Sequence, residues 1–214
     1  MQYSNDFGLI MNERSFISDR KMSRKISVGK HSQILIAAEK LIADSGFHCL
    51  SMQKVATAAG VATGTIYRYF SDKEQLLNEV RLHVAKRIAT VIQHGVTDDM
   101  PLKTAFRTMW LNIWNLASSE KDALSSRVQY ESLPRSDDHQ IRELERKMFD
   151  QVERLFLEGK KQNIFKQLDN QVLFVLSFES SVTLARKNAL GFYKLNDDEL
   201  EAVIEASWDA IITH

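Results

Sequence analysis

A run of small residues within segment 51–70 constrains the fold of this chain more than any other feature. The run is Ala58-Ala59-Gly60, and a short stretch with helical apolar spacing lies on either side of it. Two short helices can cross steeply only where small residues meet, and glycine readily adopts the positive φ that turns the chain between them. The segment therefore predicts a helix-turn-helix, with one helix that begins at Ser51 and an outward-facing helix over residues 63–70.

Helical periodicity extends over most of the remaining chain. A first helix from His31 has apolar residues at i, i+3, i+4, i+7 and i+8, which is the spacing of one buried stripe. Ser71 and Glu74 have the pattern of a capping box, so a fourth helix is expected over 72–94, before a break at 95–101. Further stripes cover 102–117, 141–156 with an end near Gly159, 172–188 and 197–213.

These stripes predict an all-α fold, because only two prolines and eight glycines interrupt 214 residues. A three-helix helix-turn-helix domain is expected over 30–76. The helix over 72–94 connects this domain to a C-terminal helical domain over 96–214. No internal repeat and no convincing pair of strands is present.

Positive charge is concentrated in the N-terminal part of the chain. Residues 1–87 contain 13 Lys and Arg against 8 Asp and Glu, and the remaining residues contain 15 against 20. This asymmetry suits a domain that binds a polyanion joined to one that does not. Residues 1–29 are polar and lack sustained periodicity. They are expected to form a flexible basic arm, which is either a solvated tail or a segment that contacts DNA.

The outward face of the third helix carries polar and aromatic side chains and no acid, as a surface that reads a DNA groove requires. Thr63 and Thr65 are expected to reach base edges, and Gly64 lets the backbone approach the duplex. Tyr67 and Tyr69 can donate their hydroxyl groups to phosphates. The other candidates are Arg68 for a phosphate or a guanine, Lys73 for a phosphate, and Ser51 and Gln53 on the helix that crosses the DNA backbone.

The run 51–77 closely resembles the N-terminal signature of the TetR family of transcriptional regulators. The matching elements are Ala59-Gly60-Val61, Thr63-Gly64-Thr65-Ile66-Tyr67, Tyr69-Phe70 and Lys73-Glu74. The resemblance implies a recognition helix over 63–70, with Tyr67 and Lys73 on phosphates and Thr63 and Thr65 nearest the bases. Ala62 departs from the serine that many members carry, which removes one polar contact.

For residues 96–214, the resemblance implies an all-α domain that holds an effector pocket and dimerises through its last two long helices. The candidate pocket residues are large and apolar apart from one carboxylate, and each of them can equally be ordinary core. They are Phe106, Met109, Trp110, Ile113, Trp114, Tyr130, Phe149, Phe156, Phe174, Phe178 and Glu179, with Asn112 and Gln129 as further polar candidates. Such a pocket predicts a small hydrophobic effector.

Other classes of protein find little support in the sequence. No phosphate-cradling loop, ligand spacing or nucleophile pattern indicates a catalytic residue, a metal site or a cofactor. Cys49 is expected to be a packed structural residue, and Asp137-Asp138-His139 a solvated loop and helix cap. Segment 172–185 is too short to cross a membrane, and no signal peptide is evident, so the chain is interpreted as cytoplasmic.

The predicted function is that of a ligand-responsive repressor. A homodimer is expected to bind a palindromic operator in double-stranded DNA through two recognition helices, and a small hydrophobic effector to release it. Two alternatives stay open. One is a DNA-binding structural or interaction protein that responds to a protein partner, and the other is an enzyme on a helical scaffold.

Overall fold

The structure is a computed structural model that describes residues 12–119 and 136–214, with side chains from residue 29 onwards. Throughout these ranges the chain is helical, with one isolated antiparallel bridge between Phe165 and Ile212 and no strand. The predicted all-α fold is confirmed. The pocket candidates Gln129 and Tyr130 lie outside the described residues.

The chain divides into two compact units. The first, which we call the head, ends at Leu76, and the second, which we call the body, begins at Leu77. No described helix of either unit is both long enough and apolar enough to cross a membrane. The described part of the head comprises α1 (Asn12–Ser45), a 3-10 turn (Phe47–Cys49), α2 (Met52–Ala58), α3 (Thr63–Ile66) and the first residues of α4.

Helix α1 begins earlier than the sequence predicts. The periodicity places its start near His31 with a flexible arm before it, whereas the helical backbone extends from Asn12. Residues 12–45 contain no proline, and Gly29 is their only glycine, so little opposes helix formation. The predicted start is wrong because it rests on apolar periodicity, and the sequence before His31 has no sustained apolar periodicity.

A small apolar core joins the helices of the head. Ile34 and Ala38 of α1, Val55 of α2, Ile66 of α3 and the following Phe70 are all fully buried. Burying one large apolar side chain contributes about 1.5–3 kcal/mol relative to leaving it exposed. The core therefore fixes the orientation of α3, whose other side chains stay on the surface.

The turn between α2 and α3 is a Schellman motif centred on Gly60. Val61 N donates to Ala56 O at 3.0 Å, and Gly60 N donates to Thr57 O at 3.1 Å. The φ of Gly60 is 63°, in the region that side chains with a Cβ disfavour. The glycine that the sequence places in the turn is confirmed.

Helix α3 is shorter than predicted. Its regular turn ends at Ile66, and Arg68 N and Tyr69 N then donate to the carbonyls of Thr65 and Ile66, three residues back. Bonds of this span belong to a tighter 3-10 turn. This turn brings Phe70 into the core, where it is fully buried.

The body begins within α4 (Lys73–Ile92) and contains a series of further helices. These are α5 (Leu102–Ser119), α6 (His139–Met148), α7 (Asp150–Lys161), α8 (Asn170–Phe174), a π-helical turn (Val175–Glu179), α9 (Ser180–Ala189) and α10 (Asp197–Asp209). The π-helical turn continues directly from α8 into α9, so residues 170–189 form one helical segment with a widened middle.

The cap of α4 differs from the predicted one. The sequence pairs Ser71 with Glu74, whereas Gln75 N donates to Asp72 Oδ1 at 2.8 Å and Ser71 N donates to Gln75 Oε1 at 2.7 Å. Asp72 is thus the N-cap, one residue later than predicted. Aspartate and serine are comparable N-caps, so the sequence could not decide between these two neighbours.

The predicted stripe over 141–156 is two helices and not one. Helix α6 ends at Met148 and α7 begins at Asp150, with Phe149 between them at φ −100° and ψ 31°. Asp138 caps α6 by accepting Gln140 N at 2.7 Å, so the predicted cap is confirmed.

Helix α7 ends at Lys161, so the predicted end near Gly159 is confirmed to within two residues. The glycine has a packing role: a Cβ at this position would lie 2.1 Å from Cδ2 of Phe165. Phe165 is fully buried against α7, which requires a residue without a side chain at the contact.

An aromatic cluster fills much of the body core, and Phe178 is at its centre. Its ring centroid lies 4.9 Å from that of Phe106, 5.6 Å from Phe174 and 5.8 Å from Phe156. Trp208 of α10 approaches Phe106 edge-on at 5.2 Å. Offset and edge-to-face arrangements are the favourable geometries for such rings. These contacts join α5, α7, α8, the π-helical turn and α10.

Candidate functional site

The residues predicted to contact DNA lie at the surface of the head. Ser51, Gln53, Thr63, Gly64, Tyr67 and Arg68 are exposed, whereas Thr65, Tyr69 and Lys73 are half-buried. Tyr67 exposes 55 % of its surface, much for an aromatic side chain. No acidic residue occurs between 51 and 71. Between Ser51 and Ser71 this surface combines hydroxyls, an aromatic ring and a guanidinium without a carboxylate, which suits contact with phosphates; Asp72 is the first acidic residue after it.

Tyr69 is held by a residue that the sequence did not single out. The His31 ring lies 5.9 Å from the Tyr69 ring in an edge-on arrangement and stacks on Phe70 at 5.1 Å. Tyr69 therefore has less freedom than Tyr67. The only sequence signal for His31 is its position at the start of the first apolar stripe, which does not reveal a ring contact 38 residues away.

Ser51 caps α2, because its Oγ accepts Lys54 N at 3.2 Å. Its hydroxyl proton stays available for a phosphate oxygen. Lys54 Nζ donates to Cys49 O at 3.0 Å and thereby ties α2 to the 3-10 turn. Cys49 itself is exposed, so the prediction of a packed structural cysteine is wrong. The turn ends there with Leu50 as the buried residue instead.

Lys73 opens α4 beside an ionised cap. A hydrogen bond from the backbone N–H of Gln75 lowers the pKa of the Asp72 carboxyl below its usual range, and the Ser71 hydroxyl lowers it further. Asp72 therefore carries its charge at neutral pH and accepts a backbone N–H of the first turn. Lys73 supplies a positive charge next to this carboxylate.

The C-terminal end of α4 is attached to the α6–α7 break by Gln93. Gln93 Oε1 accepts Gln151 N at 2.9 Å and Val152 N at 3.4 Å, which caps the first turn of α7. Gln93 Nε2 donates to Met148 O at 2.8 Å. One amide thus bonds to both sides of Phe149. Phe149 is the N-cap residue of α7, and its side chain accepts no hydrogen bond from the backbone N–H groups of the first turn. Gln93 Oε1 is the acceptor for these groups instead.

A second attachment lies three turns earlier along α4. Arg81 Nε and Nη2 donate to Glu145 Oε2 and Oε1 at 2.8 and 3.0 Å, a bidentate pair between α4 and α6. The two side chains are 11 % and 18 % exposed. Asn112 Nδ2 donates to the carbonyls of Ile92 and His94 at the end of α4. Asn112 thus serves as a cap of α4 in this structure.

Two family models match the chain. The model of the bacterial regulatory proteins of the tetR family matches residues 34–80, and that of the tetracyclin repressor-like C-terminal domain matches residues 101–212. The second model alone covers more than half of the chain. The chain belongs to the TetR family. It is a DNA-binding transcription regulator, and the matched segments correspond to the head with the start of α4 and to most of the body.

Similar proteins support this assignment. A helix-turn-helix transcriptional regulator from Haemophilus influenzae is 34 % identical over 180 residues, 84 % of this chain and 94 % of its own. A solved TetR-family protein from Vibrio parahaemolyticus is 65 % identical, with a TM-score of 0.78 over 86 % of this chain and 99 % of its own. FadR from Bacillus subtilis, solved with stearoyl-CoA, shares the fold at 20 % identity, with a TM-score of 0.58 over 84 % and 96 %.

The residues predicted to line an effector pocket of this TetR-family body lie in its packed core. Phe106, Met109, Trp110, Ile113, Trp114, Phe156 and Phe178 are buried, and Phe149, Phe174 and Glu179 are half-buried. A cleft of about 770 Å³ opens nearby between the α4–α5 loop and α7, and Met109 is the one predicted residue within the described ranges that lines it. The aromatic rings mainly contact one another.

Proposed function

We propose that this TetR-family regulator is a ligand-responsive repressor that binds a palindromic operator as a homodimer and is released by a small hydrophobic effector. Helix α4 carries the proposal. It is continuous from Lys73 to Ile92 and is attached to α6 through Arg81 and to the α6–α7 break through Gln93. A change at the break therefore acts directly on the helix that begins with a DNA-contacting lysine. The repressor is proposed to exchange between a conformation that binds DNA and one that does not. An effector shifts this equilibrium only by as much as it binds one conformation more tightly than the other.

Each predicted contact has a role in the proposed complex. Thr63 and Thr65 read bases from the start of α3, while Gly64 allows close approach of the backbone. Tyr67, Tyr69, Arg68 and Lys73 bind phosphates, and Ser51 and Gln53 contact the backbone from α2. Six of these residues are exposed and none is buried, which supports the assignment, and Gly64 has open space where a Cβ would stand in the free protein.

Exposed apolar residues on α8 and the π-helical turn support the homodimer. Val172, Val175 and Leu176 expose 44 %, 52 % and 44 % of their surfaces. A two-fold interface would bring the same residues of two copies together and remove them from water. Val175→Glu is expected to give a monomer in analytical ultracentrifugation, whereas Leu144→Glu, a change at an exposed leucine of α6, leaves a dimer. A monomeric wild-type protein at micromolar concentration would contradict this part of the proposal.

The apolar character of the effector is inferred from the body core. Its described centre is built from aromatic rings, and Arg81, engaged with Glu145, is the one charged residue classed as buried in the described part of the chain. FadR from Bacillus subtilis, which has the same fold, was solved with stearoyl-CoA, a molecule with a long apolar chain. This precedent supports a hydrophobic effector for the present protein.

Selection from a random library of DNA duplexes tests the operator. The purified protein is expected to retain sequences with two-fold symmetry, with half-sites about one helical turn apart or a multiple of that. Thr65→Ala is expected to change the preferred bases, because a residue that reads bases determines sequence preference. Retained sequences without symmetry would contradict the dimeric operator. Apolar compounds are then added to the protein–DNA complex, and release is followed by fluorescence anisotropy.

A second candidate is a DNA-binding protein that responds to a protein partner. The contacts among Phe106, Phe174 and Phe178 favour it, since these rings already fill space assigned to an effector. It predicts that no apolar compound releases the DNA. A partner protein that lowers DNA affinity when added in purified form would then identify the signal.

A further inference from the structure

Helix α5 carries two buried polar atoms without a hydrogen-bond partner. They are Nε1 of Trp110 and Oγ of Ser118; the third such atom among the described residues, Oδ1 of Asn170, is on α8. Trp110 is fully buried. A buried donor without an acceptor costs about 1–3 kcal/mol, and native proteins contain few of them. An unsatisfied donor in the core of a regulator therefore calls for an explanation by function.

The two atoms belong to one face of α5. Residues 110 and 118 are separated by two turns, which corresponds to about 12 Å along the axis and about 80° around it. Trp114 lies between them, and its ring stacks on Trp110 at 5.6 Å with an angle of 13° between the planes. This part of α5 thus combines two stacked, buried apolar rings with a hydrogen-bond donor at each end.

The surroundings of Trp110 determine the chemistry of an acceptor. Trp110 belongs to the main apolar cluster of the body, and among the described residues Arg81, which is paired with Glu145, is the one buried charged side chain. A carboxylate or phosphate at its N–H would lose hydration without gaining a counter-charge, which is strongly unfavourable. A ketone, ester, amide or ether oxygen accepts the same hydrogen bond at a far lower cost of desolvation.

We infer that α5 binds the effector of the proposed repressor through the N–H of Trp110, and that this effector is an apolar, uncharged molecule with a hydrogen-bond acceptor. Ser118 supplies the second donor, two turns further along the helix. The inference rests on the proposed function for the regulatory role of the ligand. The binding site itself is independent of it.

Prodan, a fluorescent naphthalene with one ketone group, is a suitable probe. It is titrated into the full-length wild-type protein without DNA, and binding is followed by its blue-shifted emission. Trp110→Phe is expected to weaken prodan binding about tenfold, the size of one hydrogen bond in an apolar site. Ser118→Ala is expected to have a smaller effect. Trp208→Phe is the matched control, because it shortens another core tryptophan and is expected to leave the affinity unchanged.

A shape-preserving variant separates the lost hydrogen bond from lost packing. 3-Benzothienylalanine at position 110 keeps the bicyclic ring and replaces the N–H with sulfur, and it is expected to weaken prodan binding as much as Trp110→Phe. In ¹⁵N-labelled wild-type protein, the indole N–H signal of Trp110 should shift downfield when prodan binds. Equal affinity of the benzothienyl variant and the wild type, or no binding of prodan by the wild type, would overturn the inference.

These outcomes are distinct from failure of the proposed function. If the protein binds prodan through Trp110 but remains bound to DNA in its presence, the binding site is supported and its regulatory role is contradicted. If the protein binds a palindrome but not prodan, the DNA-binding part of the proposed function is supported and the binding site at Trp110 is contradicted.

Discussion

The head and the body place their polar chemistry in opposite ways. In the head, the side chains assigned to DNA surround a small apolar core and face outward, with Tyr67 and Arg68 exposed. In the body, the polar groups of interest are inside: Arg81 with Glu145, the amide of Gln93, and the N–H of Trp110. An exposed side chain that binds a polyanion needs few contacts within the protein. A buried polar group is stable only when the side chains around it supply its hydrogen bonds or counter-charge.

This difference has a consequence for mutational effects. Substitutions on the surface of the head should change DNA binding and leave folding almost intact. Substitutions at the buried contacts of the body should change the free energy of unfolding first. The three tryptophans, 110, 114 and 208, all lie in the body, so tryptophan fluorescence reports its unfolding selectively, while circular dichroism reports all helices.

The largest effect is expected for Gly159→Ala. The new Cβ would lie 2.1 Å from the buried Phe165 ring, so the ring or the helix must move. We expect a loss of about 3 kcal/mol in the free energy of unfolding of the body, at the upper end of overpacking costs. Urea titration followed by tryptophan fluorescence measures this loss.

Gly64→Ala is the matched control in the head. Nothing lies within 4 Å of a Cβ at position 64, so stability should be unchanged or slightly higher, while DNA binding weakens. A stable Gly159→Ala variant would show that the contact with Phe165 is adaptable, and the contrast between the two units would be smaller than proposed.

The next effect in size is expected for Glu145→Ala. Arg81 is largely buried and would lose its bidentate carboxylate, at a cost of about 2 kcal/mol in the free energy of unfolding, the size of a lost hydrogen bond between charged groups. Because the pair joins α4 to α6, the variant should also respond less to an effector while its DNA affinity without effector changes little. Glu143→Ala, which removes an exposed carboxylate paired with Arg146, is the control. Equal destabilisation by both substitutions would contradict the role assigned to the Arg81 pair.

Lys73→Ala tests the head with a smaller change. Loss of one phosphate contact should lower DNA affinity about tenfold at low salt, equivalent to about 1.4 kcal/mol. It should also reduce the slope of log K against log salt by about 0.9. Fluorescence anisotropy at several salt concentrations measures both quantities. An unchanged slope would remove Lys73 from the phosphate contacts, and unfolding curves should coincide with those of the wild type.

The smallest effect is expected at the surface of the body. A hydrogen bond from Arg107 lowers the pKa of Glu201, so the folded state favours the charged carboxylate. This stabilisation is present above the pKa of the unfolded glutamate, about 4.3, and is lost as the pH falls through the lower folded value. Glu201→Gln should therefore unfold slightly more easily than the wild type near neutral pH. The difference should disappear in strong acid, and a constant difference across urea titrations at both pH values would exclude this origin.

Local patterns in the sequence predicted the helices and the turn of the head. The spacing around Ala58-Ala59-Gly60 predicts the turn, which the structure contains, and the acid-free run after it predicts a DNA-facing surface, which stays a prediction. The errors concern two helix boundaries, since α1 begins at Asn12 and α3 ends at Ile66, and one burial, since Cys49 is exposed. Each of these depends on competition between nearly equivalent local structures, which periodicity does not resolve.

In the body, the sequence predicted helices and an apolar interior, and the tertiary structure decided what the individual residues do. Gln93 caps a helix that begins 57 residues later, Asn112 caps α4, and Gly159 admits the ring of Phe165 against α7. Whether a buried donor such as Trp110 Nε1 has a partner also depends on residues distant in the chain. Hydrogen-bond satisfaction and close packing are properties of the assembled core, and for this reason no local pattern encodes them.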